Sequence, residues 1–369
     1  MSYKVCKLPE YPIMRDMWDE LRDESRPILI YGMGNGADKL IAKFEELNIP
    51  YADIFASDGF VRGHSFRGFR VKSFSEVKEQ YPDFVIVLSF ASNREEVIDM
   101  LSDIDSSYDM YVPDMPVAGV EEYFDKNFYN TNYKSIKEAY ELFCDDDSRN
   151  CFASVVCYKL FGKMKYLLGA ASSREEKYSL INSYADVVKM VDCGAYNGDT
   201  VIEAMRFFSG LKSVIAVEPD PRNYKKLLRF SDGVEQIRIE AHNLALWSEC
   251  GEGEFSGSGN RNSSIGATSS FEYREEQVRL ASLDSLVTDR VDYIKYDVEG
   301  AEAEALLGSV ETISRYKPTL LVSLYHRSRD IFALPIYIKN THPEYRFYLR
   351  RKRCLPAWEL ELIAFAVGT

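Results

Sequence analysis

The first uninterrupted apolar stretch is ILIYG, residues 28–32, and the apolar positions after it change period, recurring at Leu40, Ile41, Phe44 and Leu47. A strand-length apolar run followed by helical spacing predicts a buried strand, a turn and an amphipathic helix. Gly32, Gly34 and Ala37 place the pattern G-x-G-x-x-A in that turn. A second strand is expected over 51–56, ending at Ser57 and Asp58, so that Asp58 falls where an acid could reach a ribose. A third all-apolar run, 84–89, precedes a helix over 94–101, which completes a small parallel sheet ending near Pro113.

From about 119 to 185 the strand signal disappears. Ile136, Ala139, Tyr140 and Phe143 are spaced for one helix, and Phe152, Val155, Val156, Leu160 and Met164 for another, with Ser148 as its N-cap. Strand-like runs return at 187–192, 213–217, 236–241, 291–296, 319–324, 345–349 and 360–367. Only a short loop separates the last two, which predicts an antiparallel hairpin at one edge of a parallel sheet. The expected fold is α/β: a seven-stranded, Rossmann-like sheet of the class I methyltransferase layout (186–369), preceded by a smaller Rossmann-like α/β domain (1–118) and a helical connector (119–185).

A length of 369 residues suits two domains, and 46% hydrophobic with 28% charged residues excludes disordered and fibrous classes. No apolar run approaches the roughly 20 residues of a membrane span, and the first residues carry no signal-peptide pattern. A net charge of −13 opposes a phosphate backbone, so no nucleic-acid partner is expected. Arg350, Arg351, Lys352 and Arg353 form the densest basic run and read as a solvated loop. Seven cysteines without C-x-x-C spacing suggest neither a disulfide framework nor zinc, hence a reducing, cytoplasmic setting.

The chemistry concentrates in MVDCGAYNGDTV, residues 190–201. A strand end leads into a turn through Gly194, Ala195, Tyr196 and Gly198, and a helix opens near Asp199 and Thr200. Small residues let a ligand approach the backbone closely. The next strand ends 24 residues after Gly194 at Glu218, Pro219 and Asp220, where a carboxylate can accept both hydroxyls of a ribose. Acids at Asp192 and Asp199 disfavour a phosphate at this turn and favour a cation, which points to the sulfonium nucleoside S-adenosyl-L-methionine. Ala245 and Leu246 after the third strand, and Asp297 after the fourth, reach the same sheet edge.

VDCGAYNGDT, EPDPRNYKKL, the ALW of NLALW, SSIG at 263–266, LDSL with VDYIKYDVEGAE, and SLYHRSRDIFALP resemble the successive motifs of the FkbM family of S-adenosylmethionine-dependent methyltransferases. The resemblance covers about 175–369 and implies methyl transfer, usually to a hydroxyl oxygen of a sugar or another small-molecule or glycan acceptor. A neutral alcohol must lose its proton as it attacks, so His326 is the first candidate for general base and Asp297 the second. Glu299, Tyr325 and Arg327 are candidates for acceptor binding. Glu299 and Glu302 also suit a helix start through the helix dipole. Asp297, Glu299 and His326 could together hold a divalent metal, although a metal-free site is expected. Trp247, Tyr273, Tyr325 and Trp358 could stack on a sugar. The alternative is a nucleotide-sugar- or NAD-binding protein working through its first domain, with the second a non-catalytic scaffold. In that first domain the basic loop 62–70 favours docking or substrate presentation over redox chemistry.

Overall fold

In the computed structural model, residues 6–61, 63, 65–116, 122–257, 264–265 and 274–367 are described. The first sheet has five strands: β1 (Ile28–Tyr31), β2 (Asp53–Ala56), β3 (Lys72–Ser73), β4 (Val85–Leu88) and β5 (Asp109–Tyr111). They form one parallel sheet in the order β3-β2-β1-β4-β5. The four residues of β1, β2 and β4 are all buried, as continuous apolar runs require when helices cover both faces. The helix Asn35–Leu47 follows β1 directly, with Gly34 at its N-cap.

Seven further strands build the second sheet: β6 (Lys189–Cys193), β7 (Ser213–Val217), β8 (Arg238–His242), β9 (Tyr293–Tyr296), β10 (Thr319–Ser323), β11 (Tyr345–Arg351) and β12 (Leu360–Ala366). Their order is β8-β7-β6-β9-β10-β12-β11. All pairs are parallel except those made by β12, which runs antiparallel to both β10 and β11. The expected edge hairpin is therefore present, and each of the seven strands lies within about two residues of its expected position.

The helices between the sheets pack on the second one. Helix Lys126–Leu142 lies against Asp330–Thr341, with the rings of Phe128 and Phe332 6.0 Å apart. Helix Asp146–Phe161 lies against β11. Its N-cap is Asp145, not Ser148: the Asp145 carboxylate accepts from the Ser148 amide at 2.7 Å, which starts the helix three residues earlier. The Ser148 hydroxyl is fully buried and accepts from the Leu349 amide at 2.8 Å, tying helix to strand. One continuous apolar core joins Leu29 and Ile86 of the first sheet, Ile136 and Phe152 of these helices, and Ile294 and Phe347 of the second sheet.

The basic run is not a solvated loop. Arg350 and Arg351 end β11, and Arg351 is 1% exposed because its guanidinium donates to the carbonyls of Leu167, Lys352 and Cys354. Arg350 pairs with Asp145 at 2.7 Å and Arg353 with Asp99 at 2.6 Å. Among the described residues, no helix is long and apolar enough to cross a membrane.

Candidate active site

Parallel pairing brings the carboxyl ends of three strands together. Cys193 of β6 is in register with Val217 of β7 and with Tyr296 of β9, so Gly194, Glu218 and Asp297 emerge side by side. The chain can turn there only because position 194 lacks a side chain. Its φ is +89°, and a Cβ would sit 1.9 Å from the Asp297 carbonyl oxygen. A cavity of about 560 Å³ opens above this edge, inside the roughly 300–1,000 Å³ typical of small-ligand sites.

The residues expected to hold the cofactor largely reach the cavity. Gly194, Tyr196, Asp199, Thr200, Glu218, Pro219, Ala245 and Leu246 line it. Glu218 is 6% exposed, and its two carboxylate oxygens accept from the amides of Tyr196 (2.8 Å) and Asp220 (3.0 Å). Burial pushes its carboxyl up to about 7, with those two amides opposing. Asn243, the first residue of NLALW, donates to the carbonyls of both Glu218 and Pro219 at 2.9 Å and fixes this loop. Ala195, Gly198 and Asp220 lie beneath the lining: Ala195 donates to the Val217 carbonyl, Gly198 caps the helix Asp199–Phe207, and Asp220 caps Pro221–Asp232. Asp192 is also below the surface, fully buried 3.6 Å from the Lys295 ammonium.

The other catalytic candidates form a charged cluster. The Asp297 carboxylate lies 3.1 Å from the Lys295 ammonium and accepts hydrogen bonds from Ser323 (2.8 Å) and Tyr325 (3.1 Å). Burial pushes its carboxyl up, but Lys295, His326 and Ser323 outweigh that and hold it well below the usual carboxylate range. Glu299 has φ +54° and lines the cavity, and burial pushes its carboxyl up to about 8 against the attraction of His326. Left-handed backbone at a non-glycine residue costs of order 1–3 kcal/mol and persists where surrounding structure imposes it.

His326 is placed differently from the expectation. It is 1% exposed and lies outside the cavity lining. Its Nδ1 is 2.8 Å from Glu302, and its Nε2 is 3.4 Å from Glu299 and 3.7 Å from Asp297. Burial pulls the imidazole down, yet Glu302 and then Glu299 and Asp297 outweigh it and push the value up to about 10. An imidazole this strongly protonated at neutral pH is a poor base there. Arg327 is exposed and likewise outside the lining, because the loop closes when its amide donates to Asp330 at 3.0 Å.

Glu302, expected from the sequence only as a helix-dipole acid, is the residue that holds His326. It is 1% exposed and also accepts from the amides of Val298 (2.9 Å) and Gly300 (3.1 Å). Asp297, Glu302 and His326 bring potential ligand atoms within 4.8 Å of one another, but the Glu302 oxygens are already engaged by those amides and the imidazole.

Three segments that no sequence motif marks complete the cavity: Ala91–Asn93 after β4, Ser172–Tyr178 ahead of β6, and Arg350–Glu361 in the final hairpin. The backbones of Ser92 and Leu355 exchange hydrogen bonds at 2.8 Å, which fixes the first segment against the third. Of the proposed stacking residues, Tyr325 and Trp358 line the cavity and Trp247 does not. Tyr273, Ser263, Gly266, Arg62 and His64 lie outside the described residues. Asp58, just after β2, accepts from the Ser75 amide (3.0 Å) and hydroxyl (2.6 Å). In the basic loop Arg67 pairs with Asp38 and Arg70 with Glu76.

A parallel sheet with an antiparallel edge hairpin and a crevice over the carboxyl ends of its central strands defines a class I methyltransferase fold. Residues 192–354 match the methyltransferase FkbM domain. A methyltransferase FkbM from Methylobacillus flagellatus KT is similar in structure at 20% identity and a TM-score of 0.68, covering 94% of this chain and 92% of that one. An rRNA methylase from Streptococcus thermophilus aligns over 52% of this chain and 95% of its own, at 13% identity and a TM-score of 0.34. A search of curated proteins returns no match.

Proposed function

We propose that the protein transfers a methyl group from S-adenosyl-L-methionine to a hydroxyl oxygen of a sugar or other glycan-like acceptor. The observation that carries this reading is one cavity lined both by a ribose-type acid, Glu218, and by Asp297 and Glu299. The residues present fit the cofactor. Glu218 keeps lone pairs free for two hydroxyls after accepting its two amides, and the acids around the turn suit a cationic nucleoside. When bound, that cofactor supplies an electrophilic methyl on a positive sulfur.

The remaining work falls to the chain. Trp358 and Tyr325 offer aromatic faces for a sugar ring. Asp297, fixed by Lys295, Ser323 and Tyr325, orients the acceptor hydroxyl, and orientation supplies up to about 7–11 kcal/mol in well-aligned reactions. Glu299 takes the proton: it faces the cavity, and a carboxyl pushed up to about 8 is matched to neutral pH far better than Asp297 or His326. His326 and Glu302 act behind it as a fixed cation and its support.

The test is a screen of glycans and nucleotide-sugars for one-methyl mass gain with isotopically labelled cofactor, followed by Glu299→Gln on the acceptor found. General-base loss lowers kcat by about 10²–10⁴-fold. Wild-type kcat/KM should climb as pH rises through about 8, because the deprotonated carboxyl is the active form. A variant with near wild-type kcat and an unchanged pH profile removes Glu299 as the base.

A further inference from the structure

Two thiols far apart in sequence meet at the surface. Cys6 Sγ lies 3.4 Å from Cys157 Sγ, across a separation of 151 residues. The contact is held from both sides. The Cys6 amide donates to Asn150 Oδ1 at 2.7 Å, and the Lys7 carbonyl lies 3.7 Å from one sulfur and 3.6 Å from the other. Asn150 and Cys157 stand two turns apart on the same helix, Asp146–Phe161. Cys6 is partly exposed, whereas Cys157 is only 5% exposed.

We propose that Cys6 and Cys157 are a peroxide-sensitive thiol pair that oxidises to a disulfide, joining the start of the described chain to helix Asp146–Phe161. The two sulfurs have different parts. Cys6 is the attacking thiolate: its value is lowered to about 7, chiefly by the Cys157 thiol beside it, against the effect of burial. Cys157, whose value is raised by that same contact and by burial, holds its proton in the resting pair and passes it to the departing sulfenic oxygen as its sulfur attacks.

The chemistry balances with hydrogen peroxide as oxidant. The Cys6 thiolate attacks one peroxide oxygen, the O–O bond breaks, and with one proton taken up the products are a sulfenic acid and water. The Cys157 sulfur then displaces the sulfenic hydroxyl, which leaves as a second water while the S–S bond forms. No residue of the cavity takes part, so the proposal is independent of the methyl-transfer reading.

The test uses the full chain. It is treated with low molar equivalents of hydrogen peroxide, quenched with N-ethylmaleimide, digested without reduction and mapped by mass spectrometry. The expected product is a linked pair of peptides containing Cys6 and Cys157, lighter by two hydrogens, formed before Cys144 or Cys250 is modified. Cys157→Ser should accumulate dimedone-reactive sulfenic acid at Cys6, and Cys6→Ser should leave Cys157 reduced. Cross-linking so long a loop should also raise the unfolding temperature of the oxidised protein above that of the reduced one. Exposed Cys144 and Cys250 reacting first while Cys6 and Cys157 stay reduced, or Cys6 pairing elsewhere, would overturn it, and the wild-type peptide map decides the matter even if a variant fails to fold.

Discussion

Gly194→Ala tests the geometry of the crevice with one methyl group. The added Cβ would meet the Asp297 carbonyl oxygen at 1.9 Å, where ordinary contact begins at 3.4 Å, so one backbone must move by about 1.5 Å. Position 34 provides an internal control. Gly34 has φ +97°, close to the +89° of Gly194, but a Cβ there meets nothing within 4 Å. Gly34→Ala should therefore cost only the backbone term, about 1–3 kcal/mol for its nearly glycine-only conformation. Gly194→Ala should add an overpacking term of typically 1–3 kcal/mol, for a total of about 2–6. Because the displaced atoms belong to Asp297, acceptor turnover should fall more than stability alone explains. Urea unfolding of the two variants, followed by titration with S-adenosyl-L-methionine, measures both terms. Equal destabilisation at the two positions, with cofactor affinity and turnover intact at 194, would refute the packing of β6 against β9 described above.

Three further outcomes follow from the same geometry. Glu218→Ala should weaken cofactor binding by about 1–3 kcal/mol for lost charge-assisted hydrogen bonds, read by calorimetry. Wild-type affinity should tighten as pH rises through about 7, where Glu218 ionises, and the variant should lose that dependence. Asp145→Ala removes both a helix N-cap and the partner of Arg350, so a loss of at least about 1–2 kcal/mol is expected in denaturant unfolding. Folding raises the His326 value from 6.5 to about 10, so its contribution is complete below 6.5 and lost as pH rises through about 10. Unfolding free energies at pH 6, 8 and 9.5 should decline accordingly, and more steeply than those of His326→Gln; matching slopes would contradict the buried imidazolium.

Much of this fold is legible in the sequence because its strands are short apolar runs whose period differs from that of the helices between them. The 213–217 strand can be read to the residue, and the final hairpin follows from its short loop. The Ser148 cap is misplaced by sequence alone because Asp145 and Ser148 are both good caps, and only the buried contact with Leu349 separates them. The candidate cofactor residues share one sheet edge because glycine turn and acid sit at fixed offsets on neighbouring parallel strands. The role of His326 is not, since the value of an imidazole depends on charges brought up by tertiary packing, here Glu302 and Glu299. Lys295 carries a usable signal: a lysine in the buried run YIKY needs an acid on a neighbouring strand, and Asp192 is its register partner. The Ala91–Asn93 segment gives no signal, because nothing local tells a loop which distant crevice it will border.

The apolar core that runs unbroken from Leu29 to Phe347 makes the two sheets mechanically inseparable. A fragment beginning at residue 186 would lose the cladding over Phe332, Phe347 and Leu349, and the edge hairpin bearing Arg350 and Trp358 would stand against water. Catalytic half and leading half should consequently melt in one transition, and a protease nick between them should release no stable, active piece.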